Sequence, residues 1–249
     1  VEMIAFDVFS VNDSVSASDG GSFAGNIGMG GTLSVTGTAT LSGNATIGTN
    51  DGDTRFHLNS ANQYTMKFSN AGNVSGHIGG GGSDILRFSN AAGATIMEMN
   101  AGQITMPLQP AFLVTPSAAQ NNIAVGSQVD IVFGNEVYDV GSNFASNAFT
   151  APVTGKYQLN GRVRLGAVHQ PSAYYTMRIT TSNRVYEQIF DSNENSNGNL
   201  DYHPFEISVV ADMDASDTAK IQIFQNSGTQ ETDIEAGTDN TQFSGFLAC

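Results

Sequence analysis

From Leu33 to Ile47 the chain alternates without a break. Leu33, Val35, Gly37, Ala39, Leu41, Gly43, Ala45 and Ile47 interleave with Ser34, Thr36, Thr38, Thr40, Ser42, Asn44 and Thr46. Side chains alternate across a strand with a period of two, whereas a helix needs 3.6, so this stretch is β. It divides into the hexads GTLSVT, GTATLS and GNATIG, and no charged residue occurs from Gly20 to Asn50. A single chain with this pattern has one thin apolar face and nothing to bury it on. Repeats of this kind gain stability by stacking or association. Three chains wound about one axis would place Val35, Leu41 and Ile47 on it, with the recurrent glycines allowing close approach. A flexible linker would not keep such alternation.

A second repeat follows. Lys67-Phe68-Ser69-Asn70-Ala71-Gly72 matches Arg87-Phe88-Ser89-Asn90-Ala91-Ala92-Gly93 twenty residues on, and Arg55-Phe56 is a diverged earlier copy. Each copy reads as a basic residue, a buried Phe, an Asn/Gly turn and a further strand, Asn73–Ile78 or Thr95–Met99. Lys67 and Arg87 suggest a recurring ion pair, to Asp84 or Glu98 of a neighbour, of small energetic value. Ser75–Ser83 is too rich in glycine to be strand throughout and reads as a tight loop. Of the 28 glycines, 18 lie between Gly20 and Gly102, whereas all 6 prolines lie from Pro107 onward. That shift marks a boundary, with Pro107 and Pro110 making a stiff connection. The expected organisation is an attachment strand and Gly/Ser tether over 1–30, a β shaft over 31–109 and a second domain over 110–249.

The second domain centres on Ala148–Asn160, AFTAPVTGKYQLN. Phe149 and Ala151 share one face of an extended segment. Pro152 has no N–H to donate and interrupts the ladder. Thr154-Gly155 supplies a turn, and Tyr157 and Leu159 restart alternation. Further strands are expected at Lys156–Val168, Ala173–Thr181, Val185–Phe190, Phe205–Met213, Ala219–Gln225 and Gln242–Leu247. Asp191–His203 and Ser227–Asn240 read as long polar surface loops. Tyr138 and Tyr157 read as core.

AFTAPVTGKYQL closely resembles the signature of the complement first-component globular head, in the tumour-necrosis-factor-like jelly-roll superfamily. Pro110-Ala111-Phe112 is similar to that family's opening strand, and Val129–Phe144 to the strand pair before the signature. Thr241–Cys249 is similar to the closing strand, with Phe243, Gly245 and Phe246 in their usual places. The resemblance covers about 110–249 and implies a ten-stranded jelly roll that assembles as a trimer. The hexads resemble shaft repeats of bacteriophage tail fibres, and Ala101–Phe112 resembles the run-in to complement-like knobs on such fibres. Fold alone implies no chemistry.

The formal net charge is −14, with acids in excess both before and after the boundary, so nucleic-acid binding through phosphates is disfavoured. The one cysteine, Cys249, permits no intrachain disulfide and reads as the last residue of an edge strand. The N-terminus lacks the basic start of a secretory signal, and no stretch reaches the apolar length of a membrane span. Met3–Val11 reads as a short strand, suited either to attachment to another protein or to packing under its own trimer.

Chemistry is sparse in the sequence. His57 and His77 invite a shared metal on a trimer axis, but no pair of histidines lies one residue apart, and polar shaft positions are the simpler reading. His169 and His203 read as lone loop histidines, with the same simpler reading. Asp212, Asp214 and Asp217 have the spacing of a calcium loop without its glycine or its closing glutamate, so a turn is expected. No cofactor is expected. A calcium ion at the knob would suit complement-type heads, with no ligand set to name. No nucleophile with a base and no phosphate loop occurs, so the expectation is a non-enzyme. Weak contact candidates are Tyr174, Tyr175, Tyr202 and His203, aromatics beside polar loops, with Asp201 next to the last two.

Together the resemblances imply an all-β, homotrimeric bacteriophage fibre at the virion surface, made in the host cytoplasm. Its partners would be itself, another virion protein through the N-terminal segment, and a host cell-surface glycan or protein, with no membrane insertion. Receptor binding by a tail fibre is the leading expectation. Capsid decoration is the second, and a polysaccharide-degrading tailspike the third.

Overall fold

The Phe-Ser-Asn repeat folds as a pair of bulged hairpins. In the computed structural model, which describes residues 34–36, 39, 66–80, 85–195 and 197–249, five antiparallel strands follow one another in chain order. They are β1 (Met66–Asn70), β2 (Asn73–Gly80), β3 (Ile85–Asn90), β4 (Thr95–Asn100) and β5 (Gln103–Thr105). β1–β2 turns on Ala71-Gly72, with φ of 48° and 82°, and β4–β5 on Ala101-Gly102, with φ of 48° and 80°. Two left-handed residues in a two-residue loop match the twist of the strands they join. At the other repeat, Asn90 Oδ1 accepts the Ala94 N–H at 2.9 Å. Both copies shift register at the same step, Phe68/Ser69 and Phe88/Ser89. Strand structure continues through Gly80, beyond the loop expected from Ser75 on. One glycine there is required by packing: a Cβ on Gly76 would come within 2.9 Å of Ser89 O. Arg87 and Glu98 pair across β3 and β4 of one chain, with Nε and Oε2 2.6 Å apart. Lys67 stands opposite His77.

The register sorts this sheet into two unlike faces. Met66, Ile78, Phe88 and Met97 line up straight across β1–β4. Phe68, Leu86, Met99 and Ile104 share their side of the pleat. Lys67, His77, Arg87, Glu98 and Thr105 occupy the other. On the apolar side Phe68 is 45% exposed and Ile104 63% exposed in the single chain.

From Ala111 the chain builds two further antiparallel sheets. Its strands are β6 (Ala111–Thr115), β7 (Gln128–Asp130), β8 (Asn135–Val140), β9 (Phe144–Ala145), β10 (Ala148–Thr150), β11 (Gly155–Val168), β12 (Tyr175–Thr181) and β13 (Val185–Phe190). One helical turn, α1 (Ser192–Asn195), precedes β14 (Leu200–Met213), β15 (Thr218–Gln225), β16 (Asp233–Ile234) and β17 (Gln242–Leu247). The strand orders are β13-β12-β15-β10-β9, with β7 added on β15, and β14-β11-β17-β6-β8, with β16 added on β11. Two five-stranded paths between which the chain repeatedly crosses define a jelly roll. The first crossing of the signature stretch is at Pro152: β10 belongs to one sheet and β11 to the other. Phe149, Ala151, Tyr157 and Leu159 all end up buried between them.

Alternation in β11 makes every inward residue from Tyr157 to Leu165 fully buried, against Met177, Ile179, Ile221 and Phe243 among others. Phe112 centres the aromatic part of the core, 4.6 Å from Phe149, 4.9 Å from Phe243 and 5.4 Å from Phe144 between ring centroids. Two glycines set how closely the parts approach. A Cβ on Gly161 would come within 2.6 Å of Met177 Cε and 2.7 Å of Ile221 Cδ1, and one on Gly245 within 2.8 Å of Leu159 and Phe112.

Several expectations are corrected. Tyr138 is 48% exposed, because it pairs with Leu113 on the outer face of the sheet, opposite to the core residues Phe112 and Val114, whereas Tyr157 is buried. The closing strand β17 is central, between β11 and β6, so Cys249 extends an inner strand and is exposed. Asp191–His203 is loop only as far as Asn199, since Leu200–His203 pair with β11. Ser227–Asn240 is not purely surface: Thr232 and Ile234 are fully buried, and Ile234 pairs with Leu165. The chain divides into two compact units, Val1–His57 and Leu58–Cys249. The attachment segment, Leu41, Ile47, His57 and the Arg55-Phe56 copy lie outside the described residues. Val35 is half exposed in the single chain.

Candidate functional site

The jelly roll has a base and a far end. At the base the chain enters beside its own terminus: Leu247 N–H donates to Pro110 O at 3.0 Å, and Lys156 N–H to Cys249 O at 2.7 Å. There too lies an apolar cleft of about 560 Å³ between β4 and the domain, lined by Ile96, Met106, Leu108, Pro152, Val153 and Leu247 among others. β11 runs from this end to Val168, which pairs with Leu200. The far end therefore gathers the segments after β11, after β13 and after β15.

A buried polar hub ties the first and third of these segments together, and Ser192 Oγ joins the second to it by donating to Ser172 O at 2.7 Å. The Tyr175 hydroxyl accepts the His169 N–H at 3.0 Å and lies 2.7 Å from Thr232 Oγ1 and 3.2 Å from Ser172 Oγ. Ser172 Oγ donates to Ser227 O at 2.6 Å. Gln225 Nε2 donates to Ser227 O at 3.0 Å and Thr229 O at 2.9 Å. Tyr175, Ser172, Gln225 and Thr232 are all fully buried. Hydrogen bonds of this kind are worth about 0.5–1.5 kcal/mol each, but leaving a buried partner unmade costs about 1–3 kcal/mol, so the loops are held as a set. An outer layer adds His169 Nδ1, which accepts the Thr229 N–H at 3.2 Å, and Asn199. The latter accepts the Gln170 N–H at 2.9 Å and donates to Glu231 Oε1 at 2.9 Å. Around this frame Asp191, Asn193, Glu194, Asn197, Gly198, Gln230 and Asp201 are exposed. The surface so formed is polar, acidic and prearranged.

The five aromatic and acidic candidates do not form one patch. Tyr175 is buried and cannot touch an external partner: its strand parity points it into the core, where it acts on the loops from below. Tyr174, the residue before β12, is half-buried, its ring 6.0 Å from that of Phe224 on the neighbouring β15. Asp201 is exposed at the start of β14. Tyr202 is 58% exposed on the outer face, with the Arg164 guanidinium 4.7 Å from its ring centroid. His203, the next residue, faces inward. It stacks on Phe190 at 3.7 Å and meets Phe205 edge-on at 4.9 Å, and burial lowers its pKa below the ordinary imidazole range. Missing from the candidates were Ser172, Gln225, Thr232 and Asn199. For Gln225 a signal existed: it continues the inward parity of Ala219, Ile221 and Ile223, and a polar side chain at a core position needs partners.

The acidic turn is structural. Asp217 Oδ2 accepts the Asp214 N–H at 2.8 Å and an Asn183 Nδ2 hydrogen at 2.8 Å. Arg184 grips Asp212 through two hydrogen bonds, of 3.1 and 3.2 Å, and holds its carboxyl below the usual range. Among the described residues no group of three or more His, Cys, Asp or Glu is placed to hold a metal ion.

No protein-family model matches the chain, and no curated protein matches it. Among solved structures it is similar to the globular domain of zebrafish complement 1qA protein, at 18% identity and a TM-score of 0.40, over 57% of this chain and 98% of that one. It is also similar to murine APRIL, at 11% identity and a TM-score of 0.40 in the pH 8.5 structure, over 56% of this chain and 98% of that one. For the pH 8.0 structure the identity is 12% and the TM-score 0.42. The jelly-roll assignment rests on the strand order described above.

Proposed function

We propose that this chain is a homotrimeric bacteriophage fibre protein that attaches virions to host cells through the far end of its jelly roll. The observation that carries the reading is the division of labour between the two ends of the jelly roll. The first and last strands of the jelly roll, β6 and β17, meet at the base, while the opposite end holds polar loops on a buried hub, and recognition is best served by loops fixed on a rigid scaffold. The apolar face of β1–β5 supports self-association, since a single-layer sheet with large exposed apolar residues gains by meeting its own copies. Three copies of a weak site on one particle would add avidity. The exposed acids and amides of the far end suit a hydroxyl-rich glycan or a basic protein surface over an anionic polymer.

Electron microscopy of virions labelled with an antibody against the chain tests the assignment. Label at the tail, together with loss of adsorption when the purified chain is added first, is the expected result. Label distributed over the head would favour capsid decoration instead, and unlabelled virions would overturn both.

A further inference from the structure

The dipeptide Asn-Gly occurs twice, at Asn160-Gly161 and at Asn197-Gly198. In such a pair the glycine nitrogen can attack the side-chain amide carbon of the asparagine, because no Cβ shields it and its backbone is free to turn. Asparagine is thermolabile for this reason. The structure puts the two pairs in opposite circumstances. Asn160 and Gly161 sit mid-strand in β11, paired with Ser208 and Ile207 on one side and with Ser244 and Phe243 on the other. Gly161 is buried, and Asn160 Oδ1 accepts from Ser208 Oγ at 2.8 Å and Gln158 Nε2 at 3.0 Å. Bending the backbone to close a ring there would break the ladder on both sides.

Asn197 and Gly198 lie between α1 and β14, both exposed and outside any strand. Gly198 has a φ of +129°, and a Cβ there would meet nothing within 4 Å. The segment is pinned on either side of this step. Ser192 Oγ donates to Ser172 O at 2.7 Å, and Asn199 makes its bonds to Gln170 and Glu231, each at 2.9 Å. The dipeptide is thus a short open span between two fixed posts.

We propose that Asn197 is a self-modification site, deamidating through its own backbone while Asn160 is protected by the fold. Gly198 N bonds to Asn197 Cγ. The bond from Cγ to the side-chain nitrogen breaks, and that nitrogen leaves as ammonia, carrying the hydrogen given up by Gly198 N. The product is a cyclic imide. Water then opens either ring C–N bond: one opening leaves aspartate, the other isoaspartate, with the main chain rerouted through the side chain. No electrons are transferred. Either product adds a negative charge to a loop that already carries Asp191 and Glu194. The isoaspartate form also lengthens the backbone next to Asn199, and so loads the bonds to Gln170 and Glu231. If the far end is the recognition surface, a reading this consequence rests on, that surface changes with the age of the particle.

The test is chemical and needs no receptor, so its failure would leave the recognition reading standing. The full native chain is held at mildly alkaline pH, and peptide mapping by mass spectrometry scores amide-to-acid conversion at each asparagine. Asn197 should convert to a mixture of aspartate and isoaspartate. Asn160 should convert at least about a hundredfold more slowly, because closure there waits on opening of the central strand. In denaturant both should convert at similar rates, and N197Q should abolish the native conversion. Native Asn197 that stays an amide while the denatured chain converts would overturn the proposal. So would native Asn160 converting as fast as Asn197.

Discussion

Tyr175 shows how a single buried oxygen can shape a surface it never reaches. Its hydroxyl meets His169, Ser172 and Thr232, which belong to two different connections. Tyr175→Phe removes that oxygen and keeps the ring, so it isolates the polar contribution. The expected loss is about 1–3 kcal/mol, because two buried hydroxyls and the half-buried His169 N–H lose a partner at once. Denaturant unfolding measures the loss, and hydrogen exchange should show faster exchange at His169 and around Thr229 than in the sheets. A second prediction concerns His203. Its pKa is lowered by burial between Phe190 and Phe205. Between the folded value and the unfolded value of about 6.5, the unfolded chain binds more protons, so stability rises with pH through that window. Stability should therefore be full above about pH 6.5 and decline as the pH falls below it. In His203→Phe that part of the decline should vanish from a pH series of unfolding midpoints, whereas an unchanged slope would show that the imidazole is not its source.

At the scale of elements, the sequence was legible wherever period and turn chemistry acted locally. Val185–Phe190 and Gln242–Leu247 have the expected bounds, and Gly155–Val168 and Thr218–Gln225 each begin one residue earlier than expected. The break in Ala148–Asn160 falls at Pro152 as read, because proline acts on the backbone directly, whereas Gly155 is not part of the turn: it opens β11 without a positive φ, and a Cβ there would come within 2.8 Å of Cys249 O. What could not be read is what depends on distant partners. Nothing local says that Leu200–His203 pair with β11, or that Ile234 tucks in beside Leu165. The candidate contact residues are scattered by strand parity, since Tyr202 and His203 are neighbours in β14 and face opposite ways. Sheet-to-sheet distance is likewise set by a residue that looks unremarkable in the sequence. Gly161→Val would press a branched side chain on Met177 and Ile221, where a Cβ alone already falls within 2.7 Å. Overpacking of that kind typically costs about 1–3 kcal/mol. The expected reading is a lower unfolding midpoint, partly restored when Met177→Ala opens space opposite.

For the whole molecule the question is what covers the apolar side of β1–β5. Ile104 on β5 and Phe68 on β1 stand at opposite edges of that face and are largely exposed in the single chain. An exposed residue contributes little to the folding of its own chain, so Ile104→Lys should leave each protomer folded. In a trimer closed through this face the same substitution would bring three ammonium groups together in a place with no counter-charge of its own. Burying unpaired charge is strongly unfavourable. The native chain should therefore show a trimeric mass in solution by light scattering. The Ile104→Lys chain should shift toward the monomer with its circular dichroism unchanged, and raised salt should recover part of the association by screening. Phe68→Ser tests the other edge without adding charge, and should weaken assembly by loss of buried area alone. A lysine at 104 that leaves the trimer intact would place this face on the outside of the assembly, and association would then have to run through the jelly roll. There Phe246 and Val210 stand exposed on the outer face of β17 and β14, and the same pair of measurements on Phe246→Lys would decide it.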